Sequence, residues 1–401
     1  MKKTSLIIAA VLLALSACTK NEVRSISDEP MQITWQTVVG PKSTKALVDG
    51  TIFDKAYKFK SCAFYNANGT TWPENASLYI NNEEVSYHIS VGSTIPRYWG
   101  TTNEYYWPKG GSLTFISYTV IDSYKKATSY PANLTCDAEN GLKVIGYEVD
   151  RQKDLDFMVA YATNQNASTA TSNAGVASGV PTLFQHALTQ ISGFKVSTMG
   201  EYKKVENGVV KAGSYEFKIN NIKLVNPYNK GDYSLKNDAK GAWSSTAYAE
   251  EADARSTYVY KTSDGKPAEL HQSPYIDLTC EQKAFLPQTF AKVNYEFKGK
   301  TPLEKARERR TQAYINELKK VPYVEFSYSV SYYGEDDKIS FTDQAIDYVS
   351  LEEMHPYQGW EMNKKIIYDL SINITGIAGE MIIYWDPTVS EWEEDMISSY
   401  I

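Results

Sequence analysis

Residues 324–332 read Val-Glu-Phe-Ser-Tyr-Ser-Val-Ser-Tyr, so bulky apolar side chains alternate with charged or small polar ones throughout. A period of two residues is typical of a β-strand with one buried and one solvated face. Residues 366–374 repeat the pattern, with these residues on one face: Ile366, Tyr368, Leu370, Ile372 and Ile374. Residues 113–120 are apolar on both faces, which suits a central strand. Turns rich in Gly, Asn, Pro and Ser separate such segments, so we predict an all-β chain of antiparallel sandwiches.

The composition supports half-buried sheets and excludes several functional classes. The chain has 401 residues, enough for two domains, and 31 of them are Tyr, whose ring and hydroxyl suit a sheet with one wet face. Its formal net charge of −7 argues against a nucleic-acid partner, which would need a basic footprint. The 4 Cys and 4 His are too few and too scattered for a disulfide framework or a metal site, and no cofactor is expected.

The N-terminus predicts export. Positive charge at Lys2 and Lys3 is followed by an apolar run at 6–15, which is too short to span a bilayer. The run closes with Leu-Ser-Ala-Cys, ending at Cys18, which resembles the bacterial lipobox. We therefore predict a signal peptide at 1–17, a lipid on Cys18 and a tether at 18–30; the alternative is a simple secretory peptide. Cys62, Cys136 and Cys280 would then allow at most one bridge, and we favour three small core residues.

Two further segments define the organisation. Residues 163–180 are small, polar and without period, so we place an N-terminal domain at 31–180 and a C-terminal domain at 181–401. Thr301-Pro302-Leu303-Glu304 has the form of a capping box with Pro at the first helical position, and Pro322 ends the run. We predict one helix over 302–319. Its basic residues fit a solvated helix on a sheet better than a partner-binding or membrane-surface helix.

Catalytic motifs are lacking, so we predict no enzymatic activity. The sequence has no nucleophile elbow, phosphate-binding loop or dinucleotide fingerprint. Asp154 and Asp156 form a carboxylate pair that a hydrolase could use, but such pairs more often solvate turns. His186 is interpreted as structural. The aromatic residues Trp99 and Tyr105-Tyr106-Trp107 could stack on sugars, although a core cluster is favoured because a buried strand follows directly.

In order along the chain, these features resemble the fimbrillin family of the type V pili of Bacteroidota. The matching segments are the lipobox and a first strand at 31–39 with Ser43-Thr44-Lys45-Ala46 after it. They continue with 105–108 leading into 113–118, then 156–160, 183–191 and 286–288, and finally the strand 366–374 followed by Val389 and Trp392. Each is a weak motif alone, but the ordered set is fairly specific and covers nearly the whole chain.

The resemblance implies two transthyretin-like sandwich domains and assembly by donor-strand exchange. Such precursors reach the outer membrane as lipoproteins, a protease removes the first strand, and the groove accepts a strand from the next subunit. The residues expected to leave with the first strand here are Met31, Ile33, Trp35 and Val39. Lys45-Ala46 stands where the family usually has Arg before Ala, so the processing protease would have to be trypsin-like. An enzyme specific for Arg would cut only at Arg24 upstream and retain the strand.

The predicted function is a structural or adhesive pilus subunit at the outer membrane and in the fimbrium. Its partners would be other pilus subunits, the membrane through the lipid, and the processing protease. The tail at 393–401 alternates imperfectly, so a tip or accessory position is as plausible as a stalk position. The alternative function is a glycan-binding outer-membrane lipoprotein.

Overall fold

The computed structural model describes residues 31–391 except 40–52, 90–96, 123, 151–154, 171–178, 200–202, 238–239, 252, 272–273, 282, 355–357 and 378–379. The predictions for Cys18, Lys45, Ala46 and Asp154 therefore fall outside the described residues. Strands dominate the described chain and its helices are short, which confirms the all-β prediction.

The elements up to residue 186 are β1 (Trp35–Val39), β2 (Phe59–Asn66), β3 (Ser77–Ile89), β4 (Arg97–Thr101), β5 (Ser112–Asp122), β6 (Ala127–Ser129), β7 (Leu134–Asp137), β8 (Gly141–Glu148), β9 (Leu155–Gln165), α1 (Ala167–Ala170) and β10 (Val180–His186). Those that follow are β11 (Thr189–Met199), β12 (Val205–Glu206), β13 (Val209–Val210), β14 (Tyr215–Tyr228), β15 (Lys230–Leu235), β16 (Ala242–Ser244), a 3₁₀ turn (Thr246–Tyr248), β17 (Arg255–Tyr260), β18 (Ala268–Glu269), β19 (Ile276–Leu278), β20 (Ala284–Phe285), β21 (Gln288–Thr289), α2 (Pro302–Arg309), α3 (Gln312–Leu318), β22 (Tyr323–Tyr333), β23 (Ile339–Ser350), α4 (Leu351–Met354), β24 (Gly359–Trp360), β25 (Lys365–Ile377) and β26 (Glu380–Glu391).

The first sheet closes on itself. Its strand order is β2-β3-β4-β1-β10-β9-β5-β6, and β2 also pairs with β5, so the strands from β2 round to β5 form a closed ring of pairings. β5 is buried on both faces, as its apolar sequence predicts. Phe115 and Ile121 point into a core inside the ring, whereas Ile116 and Val120 point into a second core outside it.

A smaller sheet covers that second core, in the order β16-β15-β8-β7. Its strands come from both sides of residue 180, and β10, which follows that residue, pairs with β9 and β1 in the first sheet. Strand pairing therefore crosses the predicted domain boundary near residue 180, and the boundary itself stays a prediction.

The C-terminal core lies between strands of two sheets, β19-β11-β25-β26 and β17-β14-β22-β23. The alternation that predicted a strand at 324–332 is seen as burial: Val324, Phe326, Tyr328 and Val330 are all buried in this core. The same holds in β25 for Ile366, Tyr368, Leu370 and Ile372. Transthyretin-like topology in either half remains a prediction.

The prediction of one continuous helix over 302–319 is wrong, because the segment forms two short helices, α2 and α3. The capping box forms as predicted, with reciprocal bonds between Thr301 and Glu304. The break comes at Thr311, whose backbone is extended (φ −75°, ψ 147°) and whose side chain accepts a hydrogen bond from the Tyr314 backbone N–H. A second N-cap therefore starts a new helix within the predicted one.

The basic residues around this break serve to dock the helices. Arg310 makes a two-pronged ion pair with Asp347 on β23, with Nε–Oδ1 at 2.5 Å and an Nη2–Oδ2 hydrogen bond at 2.9 Å. Arg309 pairs with Glu353 at 3.1 Å. On α3, Tyr314 and Leu318 are buried and pack in one cluster with Val321 and Tyr323. The arrangement agrees with a helix lying on a sheet.

Candidate assembly groove around the first strand

The first strand lies between β4 and β10. It pairs in parallel with β10 from Trp35 opposite Val180 to Val39 opposite Phe184. On its other side it is antiparallel to β4, through Trp35 opposite Trp99. The strand is thus the link that closes the ring of pairings between β4 and β10.

The residues just before β1 extend the attachment. The Ile33 N–H donates to the Tyr105 carbonyl oxygen at 2.7 Å, and the Trp107 N–H donates to the Met31 carbonyl oxygen at 2.9 Å. Gln32 forms an isolated antiparallel bridge with Tyr106. The whole segment from 31 to 39 is therefore held on the segment 97–107 and on β10 by backbone contacts.

Two of the four predicted residues carry the burial of this strand. Ile33 is 1% exposed and Trp35 is 3% exposed in the core inside the ring. The Trp35 ring meets Phe115 edge-on, with ring centroids 6.0 Å apart. Met31, which the pattern places on the same face, is 42% exposed. The side chain of Val39 is not among those that the structure describes.

The indole of Trp35 also places a hydrogen-bond donor in the core. Among the described residues, its buried Nε1–H has no hydrogen-bond acceptor. A buried donor in this state costs about 1–3 kcal/mol. The strand therefore gains apolar burial from Trp35 but loses part of it to this unpaired N–H.

Gly179, which directly precedes β10, lets the backbone approach the first strand closely. This role was not predicted from the sequence. The Val180 N–H donates to the Thr34 carbonyl oxygen at 2.7 Å. A Cβ on Gly179 would lie 2.5 Å from that same oxygen, so only a glycine permits this approach. Its place in a small, polar, aperiodic stretch gives no signal of this role.

The chain returns to the same core beyond the candidate processing site. Phe53, the first described residue after 40–52, is 1% exposed. Its ring stacks on Phe184 with centroids 4.8 Å apart, and it meets Phe59 and Trp99 at 5.9 and 5.4 Å. The described residues on both sides of Lys45-Ala46 therefore converge on one core.

The far end of β10 is fixed by a buried ion pair. His186 Nδ1 lies 2.8 Å from Asp156 Oδ2 on β9, and the two side chains are 13% and 2% exposed. Burial by itself lowers the pKa of His186, but the charge of Asp156 and the hydrogen bond to it outweigh burial and raise that pKa. Asp156 is thus the buried partner of a structural histidine, as expected for His186.

The aromatic residues considered for sugar stacking lie mostly in the core. Trp99 and Trp107 are both 7% exposed and pack inside the ring. The Tyr105 hydroxyl donates to Glu83 and the Tyr106 hydroxyl to Glu104. Of this set only Tyr106 presents much of its ring to solvent, so these residues do not form an exposed platform.

Within the described ranges, no three His, Cys, Asp or Glu side chains are placed to hold a metal ion. In the same part of the chain no helix is long and apolar enough to cross a membrane.

These features define an all-β protein whose first sheet is completed by its own N-terminal strand. The sequence from residue 44 to 392 matches the family described as fimbrillin-like, and the chain belongs to that family. The matched range begins after β1. Family membership supports a pilus or cell-adhesion subunit at the cell surface.

One solved structure shares the fold, and a second is a more distant match. A fimbrial protein from Bacteroides vulgatus is 17% identical, with a TM-score of 0.52 over 90% of this chain and 100% of that one. The tip fimbrial protein Mfa3 from Porphyromonas gingivalis, truncated at its C-terminus, is 10% identical, with a TM-score of 0.33 over 84% of this chain and 95% of that one. The first likeness shows a shared fold. No curated protein sequence matches the chain.

Proposed function

We propose that the protein is a structural or adhesive subunit of a cell-surface fimbrium that assembles by exchange of its first strand. The observation that carries the proposal is the position of β1 as the closing link between β4 and β10, with Ile33 and Trp35 buried beneath it. Family membership supports the same function.

The energetics favour replacement of the strand by another of the same kind. Removing residues 31–39 leaves unpaired backbone on β4 and β10 and an apolar trough lined by Phe115 and Trp99. Reburial of two side chains the size of Ile33 and Trp35 is worth about 7 kcal/mol before ordering costs. An incoming strand with apolar residues two apart restores both the hydrogen bonds and the burial.

The route to that state begins with export as a lipoprotein through Cys18 and continues with cleavage after Lys45. The new N-terminus at Ala46 would precede the buried Phe53 by seven residues, so the cut falls between the strand and the rest of the core. A trypsin-like protease would be required. We further propose a tip or accessory position, because the tail at 393–401 lacks the clean alternation of a donor strand.

Native proteolysis tests the proposal. The chain from residue 19 onward is treated with trypsin without denaturant, its new N-terminus is sequenced, and assemblies are sought by size and electron microscopy. We expect a cut after Lys45, loss of the segment carrying residues 31–39, and assembly with a subunit that provides a donor strand. A double variant, Lys42→Gln with Lys45→Gln, is the matched control and should keep the strand and stay monomeric.

A chain that is cut after Lys45 but retains the 31–39 peptide through gel filtration, and never joins another subunit, would contradict the proposal.

A further inference from the structure

Two cysteines from different sheets meet in the core outside the ring. Cys62 lies on β2 and Cys136 on β7, and they are 0% and 7% exposed. Both are thiols in the structure, and they lie close enough to hydrogen-bond to each other. That hydrogen bond and burial raise the pKa of Cys136. Cys280 belongs to the C-terminal core, away from this pair.

The surroundings of the pair suit a disulfide as well as two thiols. The Cys62 thiol donates to Asn82 Oδ1 at 3.1 Å, and the Tyr118 hydroxyl donates to the same oxygen at 2.8 Å. Loss of the Cys62 proton would leave Asn82 Oδ1 bonded to Tyr118, so oxidation leaves no buried acceptor unpaired. The neighbouring side chains in the cluster are apolar, among them Phe64 and Ile116.

We propose that Cys62 and Cys136 form a disulfide in the exported protein. The reaction is thiol–disulfide exchange: one thiolate attacks an exchangeable disulfide of the cell envelope, and the second thiolate resolves the mixed disulfide. One S–S bond forms in the protein and one breaks in the oxidant, which leaves as two thiols. The inference rests on the proposed function only for the oxidising compartment.

The bond would support the sheet that loses its closing strand. β2 is the first strand after Phe53, so it leads the processed chain, and the disulfide would tie it to β7 across the core. The two cysteines are 74 residues apart (136 − 62), and closing a loop of that length restricts the unfolded chain strongly. The open-groove form would thereby keep its fold until a donor strand arrives.

Differential alkylation tests the pairing. The full-length chain is extracted from cells, unfolded with N-ethylmaleimide and no reductant, and digested for mass spectrometry. We expect a linked peptide pair containing Cys62 and Cys136, and alkylated Cys280. Alkylation of both Cys62 and Cys136 in protein that an added protease can reach on intact cells would overturn the proposal.

A second experiment distinguishes failure of the disulfide proposal from failure of the proposed function. If the chain is absent from the cell surface, the proposed function fails, and the purified reduced chain is then treated with oxidised glutathione. Linkage of Cys62 to Cys136 under these conditions supports the pairing, and formation of mixed disulfides alone overturns it.

Stability gives an independent measurement. Cys62→Ser and Cys136→Ser should each lower Tm by about 5 °C or more without reductant, and Cys280→Ser should not. Should a variant fail to fold, the wild-type chain with and without reductant replaces it, and reductant should lower its Tm by a similar amount. An unchanged wild-type Tm with reductant, with both thiols shown to be free, would overturn the proposal.

Discussion

β1 and β5 lie in the same ring but are held in different ways. β5 pairs with β2, β9 and β6, and both of its faces are buried. β1 has one parallel ladder on β10 and a single residue pair on β4, and of its described side chains and those just before it, Ile33 and Trp35 carry the apolar burial. We infer from this comparison that a strand can close a ring without being integral to it. We therefore expect β5 to be required for the fold and β1 to complete a sheet that is otherwise assembled.

The largest effect is expected from Ile116→Ala on β5. Ile116 is fully buried on the outer face of the ring and does not belong to the core that contains Trp35. The cavity should lower the free energy of unfolding by about 2–5 kcal/mol. Denaturant titration followed by Trp fluorescence measures this loss. A loss below 1 kcal/mol in the free energy of unfolding would mean that the packing of β5 is not essential for the fold.

A smaller and more local effect is expected from Gly179→Ala. The new Cβ would meet the Thr34 carbonyl oxygen at 2.5 Å, so β1 must move away from β10. We expect a loss of about 1–3 kcal/mol in attachment of the first strand. The readout is faster tryptic release of the segment containing 31–39, with β5 unaffected.

Gly110→Ala is the control for that variant, because the nearest atoms to its new Cβ belong to the side chain of Asn68, at 3.0 Å or more, and not to the backbone of the first strand. Equal rates of tryptic release for the two variants would show that the close approach at Gly179 does not help to hold the first strand.

The ion pair between His186 and Asp156, at the end of β10, should make the stability of the folded protein depend on pH. The pKa of His186 is raised in the folded protein, so its contribution to stability is complete below the unfolded pKa of about 6.5 and is lost as pH rises through the folded pKa. Near the pair, burial and the charge of Asp156 raise the pKa of Tyr147, which therefore stays neutral over this range. The stability difference between wild type and His186→Gln should therefore shrink as the pH rises above about 6.5.

Urea titrations of both chains at a series of pH values below and above about 6.5 test this prediction. A difference that stays constant or grows with pH would show that His186 carries no charge in the folded state.

The smallest effect is expected from Leu183→Ala on β10. This side chain is 44% exposed, although its backbone pairs with Val38 of the first strand. The change should alter stability by less than about 0.5 kcal/mol and leave strand release unchanged. Release at a markedly higher rate would show that side-chain contacts on the outer face also hold β1.

Local patterning was enough to predict part of this fold. The segments 324–332, 366–374 and 113–120 all form strands. The expected burial is seen over 324–330 and 366–372 and on both faces of the apolar run at 113–120. Burial of Ile33 and Trp35 likewise follows from their spacing. Each of these features depends on a few neighbouring residues, whose periodicity is visible in the sequence.

What the sequence did not predict depends on partners far apart in the chain. The parallel pairing of β1 with β10 joins residues about 145 positions apart, and the ion pair of Asp156 with His186 depends on the register of β9 and β10. The second cap at Thr311 has a local signal, but the capping box at 301–304 and the stop at Pro322 favoured one continuous helix between them. Non-local pairing leaves no periodicity, so the role of Gly179 could be seen only in the structure.

Hydrogen exchange on the intact and the trypsin-cut chain tests the central claim most directly. Before the cut, peptides covering 31–39 should exchange faster than peptides covering 112–122, because the first strand opens without global unfolding. After a cut at Lys45 the first peptide should be lost, β4 and β10 should lose protection, and β5 should keep it. Exchange of all these peptides at one common rate, before and after the cut, would contradict the account, since the first strand would then be inseparable from the fold.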